Sequence, residues 1–153
     1  AAHCTAPIFA DPVSTAKAGK LEPVLGRLHT LKPNRMEAEL LSGVKITDEA
    51  SLHRAADALL ATGLQRIFLS LGADGVLAAD HERTLHLRNL PARMVNTTGC
   101  GDAFMAAVAC AFLDGADLET AARYGLAASA VAMESADTIN PAMSLAALAD
   151  RIS

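Results

Sequence analysis

The sequence has no tryptophan, one tyrosine and four phenylalanines, too few aromatic faces for a platform on which nucleic-acid bases could stack. Basic residues are also in short supply: 13 Lys and Arg stand against 17 Asp and Glu, for a formal charge of −4. They are scattered, so no basic stripe is available to follow a nucleic-acid backbone or an anionic membrane surface. Cysteine is scarce and odd in number. Cys4, Cys100 and Cys110 lack CxxC spacing, which excludes a disulfide framework and a zinc knuckle and fits a reducing cytoplasm. The five histidines form no HExxH pair. Long apolar runs are missing too: the longest, Ala103 to Leu113, is too short to span a bilayer, and no basic segment precedes an apolar one at the N-terminus. The expectation is a cytoplasmic protein with neither nucleic acid nor membrane as partner.

What is present is globular. At 153 residues with 52% hydrophobic and 20% charged, the chain can bury one sizeable core. Its elements alternate. Ala6 to Ala10 reads as a strand halted by Pro12, followed by a helix over Thr15 to Leu28. His29 to Lys32 reads as a second strand, cut by Pro33, then a helix from Asn34 to Leu41 ended by Gly43. Thr47 is the expected cap of a helix carrying the apolar stripe Leu52, Ala55, Ala56, Leu59 and Leu60. Gln65 to Leu71 then reads as a buried strand, Ala73 to Gly75 as a turn, Val76 to Ala79 as the returning strand, and Thr84 to Leu87 as one more. Further on, Ala92 to Val95 reads as a strand, Ala103 to Leu113 as a helix buried on all sides, Asp117 as the cap of an alanine-rich helix, and Ser144 as the start of a short last one. This order predicts an α/β fold with a mostly parallel sheet flanked by helices.

Three stretches carry chemistry. In Val95-Asn96-Thr97-Thr98-Gly99-Cys100-Gly101-Asp102, the glycines let the backbone approach a ligand, and the first amides of the following helix can point at an anion. Asp102 suits either an N-cap or a carboxylate held beside a phosphate and a reacting hydroxyl. Asn34 and Glu37 have capping-box spacing. Ser70, Gly72 and Gly75 read as a hairpin turn. A fourth, weaker stretch is Asp11-Pro12-Val13-Ser14 with Lys17, polar residues after a strand end, where ligands of parallel sheets gather. Glu39 reads as solvated.

Asn96 to Phe104 resembles the second signature of the PfkB (ribokinase-like) carbohydrate and nucleoside kinases, Asp-Thr-x-Gly-Ala-Gly-Asp, with Asn96 in place of the first Asp and Cys100 in place of the Ala. Asn34 with Glu37 is similar to that family's Asn-x-x-Glu, and Ser70, Gly72 and Gly75 to its Thr/Ser-x-Gly-x-x-Gly turn, in the family's order. The resemblance implies a ribokinase-like fold in which Gly99, Cys100 and Gly101 form an anion hole and Asp102 is the general base. It further implies that Asn34, Ser70, Gly72, Gly75 and Thr98 bind ATP and that Glu37 positions Mg2+. Asn96 leaves a monovalent cation open, and Leu126 stands where relatives often carry an adenine-pocket Asn. Pseudouridine kinases of the family show a stretch like Asp11 to Ser14, so pseudouridine is the expected acceptor; another sugar, or a non-catalytic nucleotide-binding role, is the alternative. The resemblance spans residues 1–153 as the C-terminal, ATP-binding half of the fold, with the substrate and lid half absent. A fragment inactive by itself and open to self-association is therefore expected.

Overall fold

In a computed structural model, residues 4–152 are described, and the chain divides into two compact units, Ala1–His86 and Leu87–Ser153.

The first unit is built on a five-stranded sheet in which the strands follow chain order: β1 (Phe9–Ala10), β2 (Thr30–Leu31), β3 (Arg66–Ser70), β4 (Val76–Asp80) and β5 (Thr84–Leu87). The sheet is mixed. β1, β2 and β3 are parallel, with Phe9 opposite Thr30 and Leu31 opposite Ile67, whereas β4 returns antiparallel to β3 and sets Ala79 opposite Ile67. The parallel expectation thus holds for the first three strands, and the returning strand adds the antiparallel part. Asp80 turns the chain into β5: its Oδ1 accepts from the amides of Glu82 and Arg83 at 2.9 and 3.0 Å.

The parallel strands need crossover connections. The first is α1 (Thr15–Ala18) continuing as a 3-10 helix (Gly19–Arg27), where a single α-helix to Leu28 was expected. Pro23 lies inside this stretch; it has no amide to donate and its ring collides with the carbonyl four residues back, so the α ladder cannot pass through it. The second crossover holds α2 (Arg35–Ser42) and α3 (Glu49–Leu60). α2 ends on Gly43 in the left-handed region, at φ 70°. α3 is capped by Asp48 and not by Thr47: Asp48 Oδ1 accepts from Ser51 N at 2.7 Å while Ser51 Oγ accepts from Asp48 N at 2.9 Å. Ser51 sits three residues from Asp48, the reach the reciprocal box needs. The stripe on α3 is buried as its spacing requires, and Leu52, Leu59 and Leu64 pack with Leu31, Ile67 and Leu77 of the sheet. Glu39 is not solvated; it binds Lys45 Nζ at 2.8 Å and Ile46 N at 2.9 Å, tying down the chain that leaves α2.

The second unit is helical: α4 (Cys100–Leu113), α5 (Leu118–Met133) and α6 (Leu145–Ile152). Asp117 caps α5, accepting from Thr120 N at 2.8 Å, and Ser144 Oγ accepts from Ala147 N at 3.2 Å at the start of α6. α5 meets α4 through small residues. A Cβ on Gly125 would lie 2.7 Å from the Phe104 ring, so the ring packs against bare backbone. The strand expected at Ala92 to Val95 does not form. The amides of Val95 and Asn96 donate to Met133 O at 2.9 and 3.1 Å, and that of Arg93 to Glu134 Oε1 at 3.2 Å; the donors a strand would use are spent on the end of α5. Arg151 closes the unit, pairing with Glu134 and donating to Pro91 O at 3.0 Å. Among the described residues, no helix is long and apolar enough to cross a membrane.

Candidate active site

The residues singled out from sequence fall on both units, and each group is built locally. In the first unit the parallel strands end on polar residues, the edge at which open α/β sheets bind ligands. Asn34 and Ser70, distant in sequence, form an isolated parallel bridge there. Ser70 donates to Pro33 O twice, from its amide at 2.9 Å and from its hydroxyl at 3.3 Å.

Asn34 and Glu37 make the complete capping box. Asn34 Oδ1 accepts from Glu37 N at 3.0 Å, and Glu37 Oε2 accepts from Asn34 N at 2.9 Å. Glu37 is only 2% exposed, so its carboxylate is fixed. One oxygen is used by the cap; Oε1 has no hydrogen-bond partner among the described residues. No group of three His, Cys, Asp or Glu able to hold a metal occurs among the described residues, so any magnesium here would rest on this one carboxylate, water and phosphate oxygens. That donor set suits magnesium, which keeps most of its waters in phosphate-transfer sites.

The turn after β3 has Gly72 at φ +63° with no atom within 4 Å of where its Cβ would be, and Leu71 N closes it onto Gly75 O at 2.8 Å. A side chain at Gly72 would therefore meet open space. Beside these groups lies a pair that sequence reasoning missed: Lys32 Nζ binds Asp11 Oδ2 at 2.8 Å with side-chain exposures of 9% and 21%. Lys17, singled out in the sequence together with Asp11 to Ser14, is exposed. The available signal was the position of Lys32, a lysine at the end of a buried strand directly before Pro33. Asp11 Oδ1 also accepts from Val13 N at 3.0 Å, and Val13 sits at φ 67°, a conformation that costs a branched residue energy.

In the second unit α4 begins three residues before the expected Ala103. Gly99 is its N-cap, at φ 83°, so Cys100, Gly101 and Asp102 form the first turn and Asp102 is not the cap. The amide of Cys100 is engaged, donating to Thr97 O at 3.3 Å, and Ala103 N takes up Gly99 O at 2.9 Å. Between them, the amides of Gly101 and Asp102 have no acceptor among the described residues. They are the donors an anion would find, strengthened by the helix dipole. Of the three residues expected to form an anion hole, the amides of Gly99 and Gly101 have no acceptor among the described residues and that of Cys100 is engaged; Gly99 also shapes the turn. Gly99 is required there: a Cβ would stand 2.7 Å from Thr138 O.

Burial pushes the Cys100 thiol up from its ordinary value, and the thiol donates weakly to Asn96 O. Asn96 staples the loop, its Nδ2 donating to Ala136 O at 3.2 Å and its Oδ1 accepting from Thr98 N at 3.0 Å. A carboxylate could not make the first of these bonds. Thr98 is exposed, its side chain open to a ligand. Ser129 Oγ donates to Cys100 O at 3.0 Å, pinning the turn to α5. Asp102 is exposed, and α4 is not buried on all sides, for Leu113 is 81% exposed.

The sequence pattern of pfkB family carbohydrate kinases matches residues 1–145. The chain belongs to this family. Among curated proteins it is 37% identical over 141 residues to pseudouridine kinase of Escherichia coli K12, covering 92% of this chain and 45% of that protein. It is 30% identical over 112 residues to ribokinase of Haemophilus influenzae, covering 73% of this chain and 37% of the other. Among solved structures, ribokinase of Thermotoga maritima superposes with a TM-score of 0.85 at 26% identity, over 99% of this chain and 50% of its own. The chain thus spans half or less of the length of these relatives, and its fold is that of the ribokinase-like kinases. Leu126 is buried in α5.

Proposed function

We propose that this chain is the ATP-binding and phosphoryl-transfer half of a kinase whose acceptor is a sugar or nucleoside hydroxyl, with pseudouridine as the leading acceptor. The observation carrying this reading is the first turn of α4, where two unengaged amides, Gly101 N and Asp102 N, share a turn with the exposed carboxylate of Asp102.

The roles follow from the chemistry. Phosphoryl transfer passes through a loose transition state whose charge lies on the transferred oxygens, so fixed donors matter more than a strong base. The amides of Gly101 and Asp102, held by Gly99 and Ser129, are such donors; their stabilisation is worth about 3 kcal/mol each if they behave like other oxyanion-hole groups. Asp102 would align the acceptor hydroxyl and take its proton as the bond to phosphorus forms. In the first unit, Asn34, Ser70 and Gly72 would meet the ATP phosphates. Glu37 would hold magnesium through its free Oε1 and water, and the ion would neutralise phosphate charge.

Pseudouridine is favoured as acceptor by the similarity to its kinase, and a ribokinase-like sugar specificity is the second reading, favoured by the ribokinase matches. The test is an ATP-dependent assay with pseudouridine, uridine and ribose on an intact kinase polypeptide that contains this chain and on the isolated 153 residues. The intact protein is expected to phosphorylate pseudouridine and the isolated chain none of the three. Positioning both reactants supplies roughly 7–11 kcal/mol of barrier reduction, and the groups that hold the acceptor are expected in the rest of the fold. Preference for free ribose would overturn the acceptor and keep the kinase; ordinary turnover by the isolated chain would overturn the half-site reading.

A further inference from the structure

Within the second unit, the loop that enters α4 meets the chain that leaves α5, and carbonyl oxygens gather where they meet. Met133 O accepts from the amides of Val95 and Asn96 at 2.9 and 3.1 Å. Ala136 O lies 3.2 Å from Asn96 Nδ2, and Thr138 O stands 2.7 Å from the Cβ position of Gly99. Oxygens brought together in this way need donors or a cation among them. Asn96 supplies donors, from its backbone to Met133 O and from its side chain to Ala136 O. The carboxamide has one possible orientation, because both of its partners are backbone groups of fixed sense. Thr98 N can only donate and takes Oδ1 at 3.0 Å, and Ala136 O can only accept and takes Nδ2.

The signature that this stretch resembles has Asp where this chain has Asn96. A carboxylate there would set an oxygen against Ala136 O, acceptor facing acceptor, and a cation seated between the two would relieve the repulsion. Phosphofructokinase-2 of Escherichia coli, which superposes with a TM-score of 0.82 at 26% identity over 95% of this chain and 46% of its own, has been solved in complex with potassium. The donor set around Asn96 does not fit such an ion. Monovalent cations are held by converging oxygens, whereas Asn96 turns an N–H toward Ala136 O and has its own oxygen engaged by Thr98 N. We propose that the Asn96 carboxamide does for this chain what a monovalent cation would do beside a carboxylate. It ties the chain after α5 to the loop before α4, so this loop neither holds nor needs such an ion. Asn96 is thereby a positioning residue, acting on the first turn of α4 through Thr97, Thr98 and Gly99. The bridge rests on the hydrogen bonds alone; only its effect on turnover rests on the proposed kinase activity.

The experiment melts an intact kinase polypeptide that contains this chain, as wild type, Asn96→Asp and Asn96→Ala, in KCl and in choline chloride at equal ionic strength, so that general screening is the same. Wild type is expected to melt within about 1 °C in the two salts. Asn96→Asp should melt roughly 2–6 °C lower than wild type in choline chloride and regain most of that in KCl, because potassium can enter between the carboxylate and Ala136 O. Asn96→Ala removes the bridge and offers no charge, so it should be destabilised alike in both salts. In the ATP-dependent assay, exchanging potassium for choline should leave wild-type turnover unchanged. The same exchange should cut kcat of Asn96→Asp by roughly tenfold or more, with KM for ATP little moved. A wild-type Tm several degrees higher in KCl, or an Asn96→Asp protein that answers potassium no more than wild type does, would overturn the proposal. Should Asn96→Asp yield no folded protein in either salt, the wild-type comparison and Asn96→Ala decide. Melting as expected with no kinase activity in any form would overturn the kinase reading and leave the bridge standing.

Discussion

Replacing Gly99 by alanine tests how the first turn of α4 is held. Two costs are built into the site. The residue sits at φ +83°, and its new Cβ would stand 2.7 Å from the carbonyl oxygen of Thr138. Holding an L-residue in the left-handed region costs roughly 1–2 kcal/mol, and forcing a methyl against backbone, which cannot swing aside as a side chain can, adds about 1–3 kcal/mol. The sum, about 2–5 kcal/mol, corresponds to a fall in Tm of roughly 5–15 °C for a chain of this length. Gly115→Ala is the internal control, because Gly115 lies in the same unit at φ +73° with nothing within 4 Å of its Cβ position. It carries the conformational cost alone and should lower Tm by roughly 2–6 °C. Melting of the three proteins followed by circular dichroism separates the terms. If Gly99→Ala costs no more than Gly115→Ala, the approach of Thr138 is not what fixes the turn, and the claim that Gly101 N and Asp102 N are rigidly presented loses its support.

Three further outcomes follow from the geometry. Asn34→Ala removes one arm of the capping box and should cost about 1 kcal/mol, a Tm fall of roughly 2–4 °C. Glu37→Gln keeps an oxygen able to accept from Asn34 N, so its Tm should stay near wild type while the intact enzyme needs more magnesium for half-maximal rate; a lower Tm with an unchanged magnesium response would make Glu37 a cap only. Burial, and secondarily the charge of Arg66, hold the His29 pKa below its ordinary 6.5. The unfolded chain therefore binds a proton that the folded chain resists, so the His29 contribution is whole above pH 6.5 and declines as pH falls below it, and His29→Gln should flatten that limb of a Tm–pH curve.

Much of this was legible in the sequence because the signals were local. The stripe on α3, the Asn34–Glu37 box, Gly43 as terminator and Asp117 as cap are each decided within a few residues, and each is in place. Three of the misreadings share one cause, competition from a partner that spacing does not reveal. Ala92 to Val95 looks like a strand by composition, but its amides are taken by Met133 O and Glu134. Thr47 looks like a cap, but Ser51 closes the box on Asp48. Glu39 looks solvated until the chain brings Lys45 and Ile46 back to it. For the site, the glycine spacing located the loop, while the register of α4 decided which amides remain free, and one residue of register is beyond what periodicity resolves. The Asp11–Lys32 pair joins the ends of β1 and β2, a contact that only the parallel pairing creates.

The central claim, that the first turn of α4 is the chemical centre of a kinase, is tested most directly by Asp102→Asn in the intact polypeptide, with turnover and ATP binding measured on the same preparation. The change keeps size and the amide donors and removes only the proton acceptor. Turnover is expected to fall by about 10²-fold or more while ATP affinity changes little; near-normal turnover with ATP still bound would contradict the account.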